Sequence, residues 1–402
     1  MNPFAHLEHD ARPRVASAAS PAAPSSGLDP ALDPSVWSGA RERVDRACAA
    51  LNDDRAFLLR DDGSDPEAGW VVTAAHSCTE AFVNFLVRRA GGLVSVALPE
   101  ARADALGLDA MVTAGRGRRE SAFAISVEAR DGVSTGISAS DRARTVRALG
   151  RAESGRLDFT QPGHVFPVRA NTRGVFDALA WPEAAVDLAR FAGLSPAAVA
   201  VCQVMAKDGN TADRRALARF ARTQKMPVVA ISDVFTERLC RESGVQPTSD
   251  TTMPTPWGIF RASSYVSAID GTEHLALVRG DVSGAAVSVH VHQRCLAGHA
   301  LGSMACDCRS RLDRSLEMMA IDECGVLVYL DAGLRAAPAA SGARPARMET
   351  VVRWAAAADI VRVLNVERVW ATGDAGVDAM FSAFGVEVLP NPQLTHERRG
   401  GA

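Results

Sequence analysis

The stretch CLAGHALGSMACDC, residues 295 to 308, carries three thiols spaced Cys-x10-Cys-x-Cys. Thiolates are soft donors that suit zinc. Three of them with a fourth position free is the arrangement of a catalytic zinc, whereas four protein ligands close the site and make it structural. A core has no use for cysteine at this spacing, so Cys295, Cys306 and Cys308 are read as Zn2+ ligands. His299 lies inside the same stretch, and His290 and His292 alternate on the strand-like run before it, which puts both on one face. The imidazole of His299 is the candidate fourth ligand; it would give a Cys3His tetrahedron that holds the domain together without activating water.

Eight cysteines in 402 residues, three of them clustered, fit a metal site in a reducing compartment better than a disulfide framework. Cys48, Cys78, Cys240 and Cys324 sit in apolar helical contexts and read as core. The 44 basic residues are scattered among 47 acidic ones for a net charge of -3, which leaves no basic footprint for nucleic acid. Lys207 and Lys225 are the only lysines, a compositional bias with no function attached. No run of about 18 apolar residues is present to span a bilayer, and the N-terminus lacks the apolar centre of a secretory signal. A cytoplasmic protein is expected, without nucleic-acid or membrane partners. Walker and Rossmann glycine fingerprints are missing.

The elements that must position the thiols follow from periodicity and composition. The chain is too long for one ordinary core and suits two domains with a tail. Residues 1 to 38, rich in Ala, Pro and Ser, read as a disordered arm. From ARERVDRACAAL onward a helical period sets Val44, Ala47 and Leu51 on one face. Strand-like runs such as GGLVSVAL and SAFAISVEA then mix with helical runs such as TEAFVNFLVRRA and WPEAAVDLARFAGL, giving an α/β or α+β domain over 39 to 244. The polar, proline-containing segment VQPTSDTTMPTPWG, residues 245 to 258, is the expected linker. A second domain over 259 to 402 reads as strands HLALVRGDV and AAVSVHVH, helix SRLDRSLEMMAI and buried strand GVLVYL, with a flexible loop over 336 to 347.

Several of these motifs in fixed order resemble one architecture, the bifunctional riboflavin-pathway family that joins 3,4-dihydroxy-2-butanone 4-phosphate synthase to GTP cyclohydrolase II. DGVSTGISASDRARTVRAL, QPGHVFPVRA and EAAVDLARFAGLSPAAV stand in the synthase order; TPWGIF, HLALVRGDVSG, CLAGHALGSMACDC and GVLVYL stand in the cyclohydrolase order. The resemblance spans roughly residues 41 to 390. It implies a divalent ion and mobile protons for rearranging ribulose 5-phosphate in the first half. In the second it implies zinc for opening the guanine ring of GTP, with arginines to hold the triphosphate.

Residue by residue, the match is incomplete. The family's acidic loop Arg-Glu-Asn-Glu-Gly-Asp is replaced in LLRDDGSDPEAGW, although Asp61 and Asp62 remain. Trp181 stands where a histidine should ligate the metal, Gln203 where a glutamate should move a proton, and Ser95 where the family has a loop cysteine. These losses count against a Mg2+ site. What the resemblance retains is a phosphate-side segment of Ser134, Thr135, Ser138, Asp141 and Arg142, whose hydroxyls, amides and guanidinium suit a sugar phosphate, with His164 as a candidate proton carrier. The same segment also reads as core and dimer scaffold.

In the second half the arginine before the second zinc ligand is Ala305, the run Arg-Gln-Glu-Gly-Arg is replaced by DAGLRAAP, where Arg335 is the nearest substitute, and a Thr-Asn-Asn-Pro turn is TGDA at 372 to 375. Loss of these clamps should remove GTP affinity. The expectation is a diverged homologue with both ancestral sites depleted, acting as a zinc-bound paralogue, as a homodimer or paired with an active relative. The alternatives are an enzyme of secondary metabolism acting on a phosphorylated sugar or purine-type substrate, and retained riboflavin synthesis.

Overall fold

The computed structural model describes residues 39–64, 67–112, 123–242, 244–284, 286–331 and 346–392. The expected arm over 1 to 38 lies outside them, as does the expected loop over 336 to 347 apart from its last two residues.

The first half is built on a seven-stranded mixed sheet with the order β4-β5-β3-β6-β2-β1-β7. Its strands are β1 (Phe57–Asp61), β2 (Ala68–Ala74), β3 (Ser95–Pro99), β4 (Val127–Ala129), β5 (Phe159–Ala170), β6 (Val199–Gln203) and β7 (Val228–Ala230). Both faces are covered, which is why β6 reads VAVCQ, nearly all buried, instead of alternating. On one face lie α1 (Ala40–Asn52), α5 (Trp181–Phe191) and α7 (Ile231–Glu242), which share an apolar core with Phe57, Leu59, Val72 and Val201. On the other lie α2 (Glu80–Phe85), α3 (Glu100–Ala105), α4 (Ala139–Leu149) and α6 (Arg214–Gln224), around Leu58, Val71, Val96 and Ala200. The helix starts carry the expected caps: Thr79 accepts from Phe82 N, Ser138 from Asp141 N and Asp213 from Ala216 N.

The second half is a five-stranded sheet of order β11-β12-β10-β9-β8. Its strands are β8 (Val245–Thr255), β9 (Gly258–Ser267), β10 (Glu273–Arg279), β11 (Val289–Gln293) and β12 (Gly325–Leu330), with α8 (Cys308–Ile321) against one face. On the other side stand α9 (Ala346–Val363), a parallel pair β13 (Arg368–Trp370) and β14 (Glu387–Leu389), and α10 (Ala375–Ala383).

One boundary differs from the sequence reading. Residues 245 to 255, expected as linker, form β8, an edge strand paired antiparallel along β9 with a register shift between Pro247 and Ser249. Prolines are tolerated there because an edge strand need not donate on both sides. The short turn at Pro256 and Trp257 is all that separates β8 from β9. The chain therefore passes from α7 into the second sheet with only Ser243 and Gly244 between. One apolar core crosses the boundary: it contains Phe235 and Leu239 of α7 together with Tyr265, Trp354, Ile360 and Phe381. Arg173 adds a polar tie, donating to the Ile269 carbonyl at 2.6 Å.

Phe235 is fully buried and meets Phe176 edge-on at 5.8 Å. Truncation of a buried Phe costs about 3–5 kcal/mol, and because the core is shared, Phe235→Ala is expected to lower the unfolding midpoints of both halves together. Denaturant titration followed by one fluorescence probe in each half checks this.

Candidate metal centre and phosphate segment

In the second half, β11 runs parallel to β12 and ends beside the Cys295 loop, while α8 starts at Cys308, so two regular elements deliver the outer thiols. The Sγ atoms of Cys295, Cys306 and Cys308 all lie within 4.8 Å of one another, and Cys295 and Cys306 are 3.8 Å apart. Zinc–sulfur bonds of about 2.3 Å set tetrahedral edges of about 3.8 Å, so the donor set fits zinc in chemistry and in spacing. Gly298 makes this approach possible: its N–H donates to Cys295 Sγ at 3.3 Å, and a Cβ there would stand 2.8 Å from Cys306 Sγ. That N–H holds the Cys295 thiol below the ordinary thiol range, while sharing with Cys306 pushes Cys308 up. The other five thiols lie apart from this group; burial pushes Cys78 and Cys240 up to about 12 and Cys48 and Cys202 to about 11, which makes them inert.

His299 is not the fourth member of the group. Its Nε2 faces His292 Nε2 at 2.9 Å and its Nδ1 meets Tyr329 Oη at 2.7 Å and Cys295 N at 3.2 Å, so both ring nitrogens are engaged away from the thiols. His290 stays apart, with Nε2 buried and unpartnered among the described residues. Tyr329, which the sequence did not single out, is aligned with His292 by the β11–β12 register.

Next to Cys295, Arg294 holds Asp331 through both carboxylate oxygens at 3.1 and 2.8 Å. Ala305 is exposed, and the TGDA turn serves as the cap of α10, with Asp374 accepting from Gly376 N and Val377 N. Arg335 lies outside the described residues.

In the first half the phosphate-side segment is assembled around Asp141. This carboxylate accepts from Ser134 N, Ser134 Oγ and Gly136 N at 3.2, 2.9 and 3.0 Å, and Ser138 caps α4 through Asp141 N. The Ser134 hydroxyl and these amides hold Asp141 below the usual carboxylate range. Thr135 is exposed at the loop tip. Gly136, with φ of +79°, lies directly against the Glu128 carboxylate, and Glu128 in turn pairs with His164 Nδ1. His164 thus stands beside the loop with its ring oriented by Glu128, a partner the sequence reading missed because it lies 36 positions away. Arg142 turns elsewhere, toward Cys202; its Nε is buried without a partner among the described residues, and burial pushes its guanidinium down.

The replaced positions also come together. Trp181, at the start of α5, stacks on Trp70 of β2 with ring centroids 5.6 Å apart, and Trp70 is the register partner of Gln203. Ser95 is buried on β3. The surviving Asp61 and Asp62 are spent on local bonds: Asp61 accepts from Gly63 N and Ser64 Oγ, and Asp62 from Ser232 N and Oγ. Glu67, also missed, is a half-buried carboxylate 3.6 Å from Arg60 and 3.9 Å from Arg214, with one oxygen unpartnered among the described residues. No helix among the described residues is long and apolar enough to cross a membrane.

Two measurements follow from this geometry. If the thiols hold zinc, Cys306→Ser should reduce bound zinc from about one per chain to near none, read by elemental analysis of purified protein. His274, almost fully buried, accepts from Asp331 N at 3.2 Å through Nδ1, and burial pushes it below the ordinary histidine range, with Asp270, Asp331 and Arg353 as its charged neighbours. The unfolded chain therefore takes up this proton first. Its contribution is intact above about pH 6.5 and is lost as pH falls below that value. His274→Asn, which keeps an acceptor, should flatten the acid side of a plot of Tm against pH.

Comparison with known proteins agrees with the architecture. The family profile of 3,4-dihydroxy-2-butanone 4-phosphate synthase matches residues 45–237, and that of GTP cyclohydrolase II matches 246–369. The riboflavin biosynthesis protein RibBA of Rhodococcus jostii is 39% identical over 296 residues, covering 72% of this chain and 71% of that protein. RibBA of Nocardia farcinica is 38% identical over 292 residues, covering 72% and 70%. Among solved structures, RibBX of A. baumannii, described as a two-domain 3,4-dihydroxy-2-butanone 4-phosphate synthase, aligns with a TM-score of 0.65 at 28% identity over 87% of this chain and 100% of its own. With both domains matched in order, the chain belongs to the bifunctional riboflavin biosynthesis family that joins a 3,4-dihydroxy-2-butanone 4-phosphate synthase domain to a GTP cyclohydrolase II domain.

Proposed function

We propose that this protein is a zinc-holding family member that binds a phosphorylated small molecule in its first half and does not carry out the synthase reaction. The observation that carries this reading is the Trp181–Trp70 stack against Gln203. An indole has no lone pair for a metal, and a carboxamide does not exchange a proton near neutral pH. Trp181 stacks on Trp70, the register partner of Gln203, and Asp61 and Asp62 already accept from backbone amides and serines, which leaves Glu67 as the described carboxylate of that loop with an oxygen free of hydrogen bonds. The hydroxyls and amides of the loop from Ser134 to Gly136 are the groups there that suit a phosphate ester, while Arg142 lies toward Cys202 instead. The Glu128–His164 pair remains able to accept or release a proton beside it.

In the second half Cys295, Cys306 and Cys308 would hold the zinc, which supplies Lewis acidity when bound. Gly298 orders Cys295, and Arg294, next to Cys295 in sequence, is held by Asp331. The clamp positions Ala305 and TGDA carry no positive charge, so a triphosphate would lack compensation there. The protein then acts through its fold and interfaces, as a homodimer or with an active relative.

A second reading, retained riboflavin-pathway catalysis, is favoured by the 39% identity to a protein named RibBA and by a thiol group with no fourth protein ligand among the described residues. Formate release separates the two, because both ancestral reactions expel formate. Purified protein supplied with zinc and magnesium is expected to release none from ribulose 5-phosphate or from GTP while retaining zinc. Formate from GTP would establish the second reading for the C-terminal half, and formate from ribulose 5-phosphate would overturn the first.

A further inference from the structure

The later turns of α4 border a cleft of about 550 Å3 in the first half, which shares no lining residue with the Ser134 loop or with the thiol site. Three arginines line it: Arg144 and Arg147 on α4 and Arg151 just past its end, spaced i, i+3 and i+7 so that they fall on one side. Among the described residues none of the three has a carboxylate within ion-pair distance. Their mutual repulsion is offset only in part by the partial negative charge at the carbonyl end of α4. Three carboxylates also stand on the walls. Asp158 is taken by Gly155 N at 2.7 Å, whereas Asp131 and Glu153 accept no hydrogen bond among the described residues.

The walls are held by bonds of their own. Arg147 donates to the Cys78 carbonyl at 2.6 Å. Ala129 N donates to Thr145 Oγ1 at 3.0 Å and Arg130 N to the Asp158 carbonyl at 2.8 Å, which ties β4 to α4 and to the loop after it. Arg102 of α3 donates to the carbonyls of Arg151 and Ser154 and so pins the opposite rim. Gly132, with φ of +70°, leaves room for the Arg144 guanidinium; a Cβ there would stand 2.3 Å from its Cζ. The cations are thus presented from a fixed frame, which lowers the cost of ordering them around a ligand.

We propose that this cleft is a second anion site, separate from the Ser134 loop, and that it takes a small ester with two phosphoryl groups and free hydroxyls, such as a sugar bisphosphate. Guanidinium suits phosphate because its paired donors match the phosphate oxygens. From Arg144 to Arg151 is about 10 Å along a helix axis, a spread that suits two phosphoryl groups better than one. The free carboxylates decide the rest of the ligand. A bare pyrophosphate meets Asp131 and Glu153 as like charges, whereas an ester offers them hydroxyl donors, so the same two residues attract one ligand and repel the other.

Isothermal titration calorimetry of the full chain with fructose 1,6-bisphosphate, pyrophosphate and fructose tests the site. The bisphosphate is expected to bind, pyrophosphate to bind more weakly and fructose not at all. Arg144→Gln and Arg151→Gln, at exposed side chains, should each weaken the bisphosphate about tenfold while leaving Tm unchanged. Glu153→Gln should strengthen pyrophosphate by removing a repulsive charge. Ser134→Ala separates this cleft from the phosphate segment of the preceding section, and it should leave bisphosphate binding at the cleft unchanged. Bisphosphate binding that is lost in Ser134→Ala and indifferent to both arginine variants would assign the ligand to the Ser134 loop, overturning the cleft while leaving that earlier reading intact. Pyrophosphate binding tighter than the bisphosphate would overturn the role given to the carboxylates, and a parent chain that binds neither phosphorylated compound would overturn the site.

Discussion

The structure depends on α9, a helix buried on all sides. Val351, Val352, Trp354, Ala355, Ala356, Ala357, Ala358, Ile360 and Val361 are all buried, with no solvent face left along two turns. A helix hydrophobic all round is stable only as an interior element, and small alanines let several neighbours approach it closely. It packs against β12, β8, α10 and α7, and so is the place where the second sheet meets the last helix of the first half. Asp359 is accepted in this interior because Arg362 reaches it at 3.1 Å from the solvent edge. The two halves are therefore parts of one packed body, and the site of either is presented on a frame that the other helps to hold.

That frame lets the family fold persist while residues at the first site differ from the family pattern. The replacements at the first site are apolar or neutral, and they are stabilised where they stand: Trp181 gains a stacking partner in Trp70, worth about 0.5–1.5 kcal/mol beyond burial for such a pair. By contrast, the groups retained beside it are those with structural work to do. Asp141 organises the Ser134 loop and the start of α4, Ser138 caps that helix, and Glu128 fills the space that Gly136 leaves open. Retention of these residues is thus consistent with both ligand binding and scaffold.

The thiol cluster shows the opposite pattern. Three thiols converge, bonded to one another, to Gly298 and to the exposed Arg311. A cluster of this kind gains little from apolar burial and repels itself when deprotonated, so a cation is its natural compensation. His299 and His292 are engaged with each other and with Tyr329 in the ring stack, with the His299 nitrogens turned away from the thiols.

The sequence by itself determined much of this: the two-part α/β and α+β architecture, the helix faces at Val44, Ala47 and Leu51, the family, and the thiol triad, because local periodicity and a rare residue spacing are both written in neighbouring positions. The tertiary structure decided what depends on distant partners. It made residues 245 to 255 a strand, because β9 offered an edge that composition could not reveal. It paired Glu128 with His164 across 36 positions and brought Trp70 onto Trp181 across more than 100. It also turned His299 away from the thiols, since the orientation of an imidazole follows from which donors and acceptors surround it, and Tyr329 and His292 reach that ring only once β11 and β12 lie side by side.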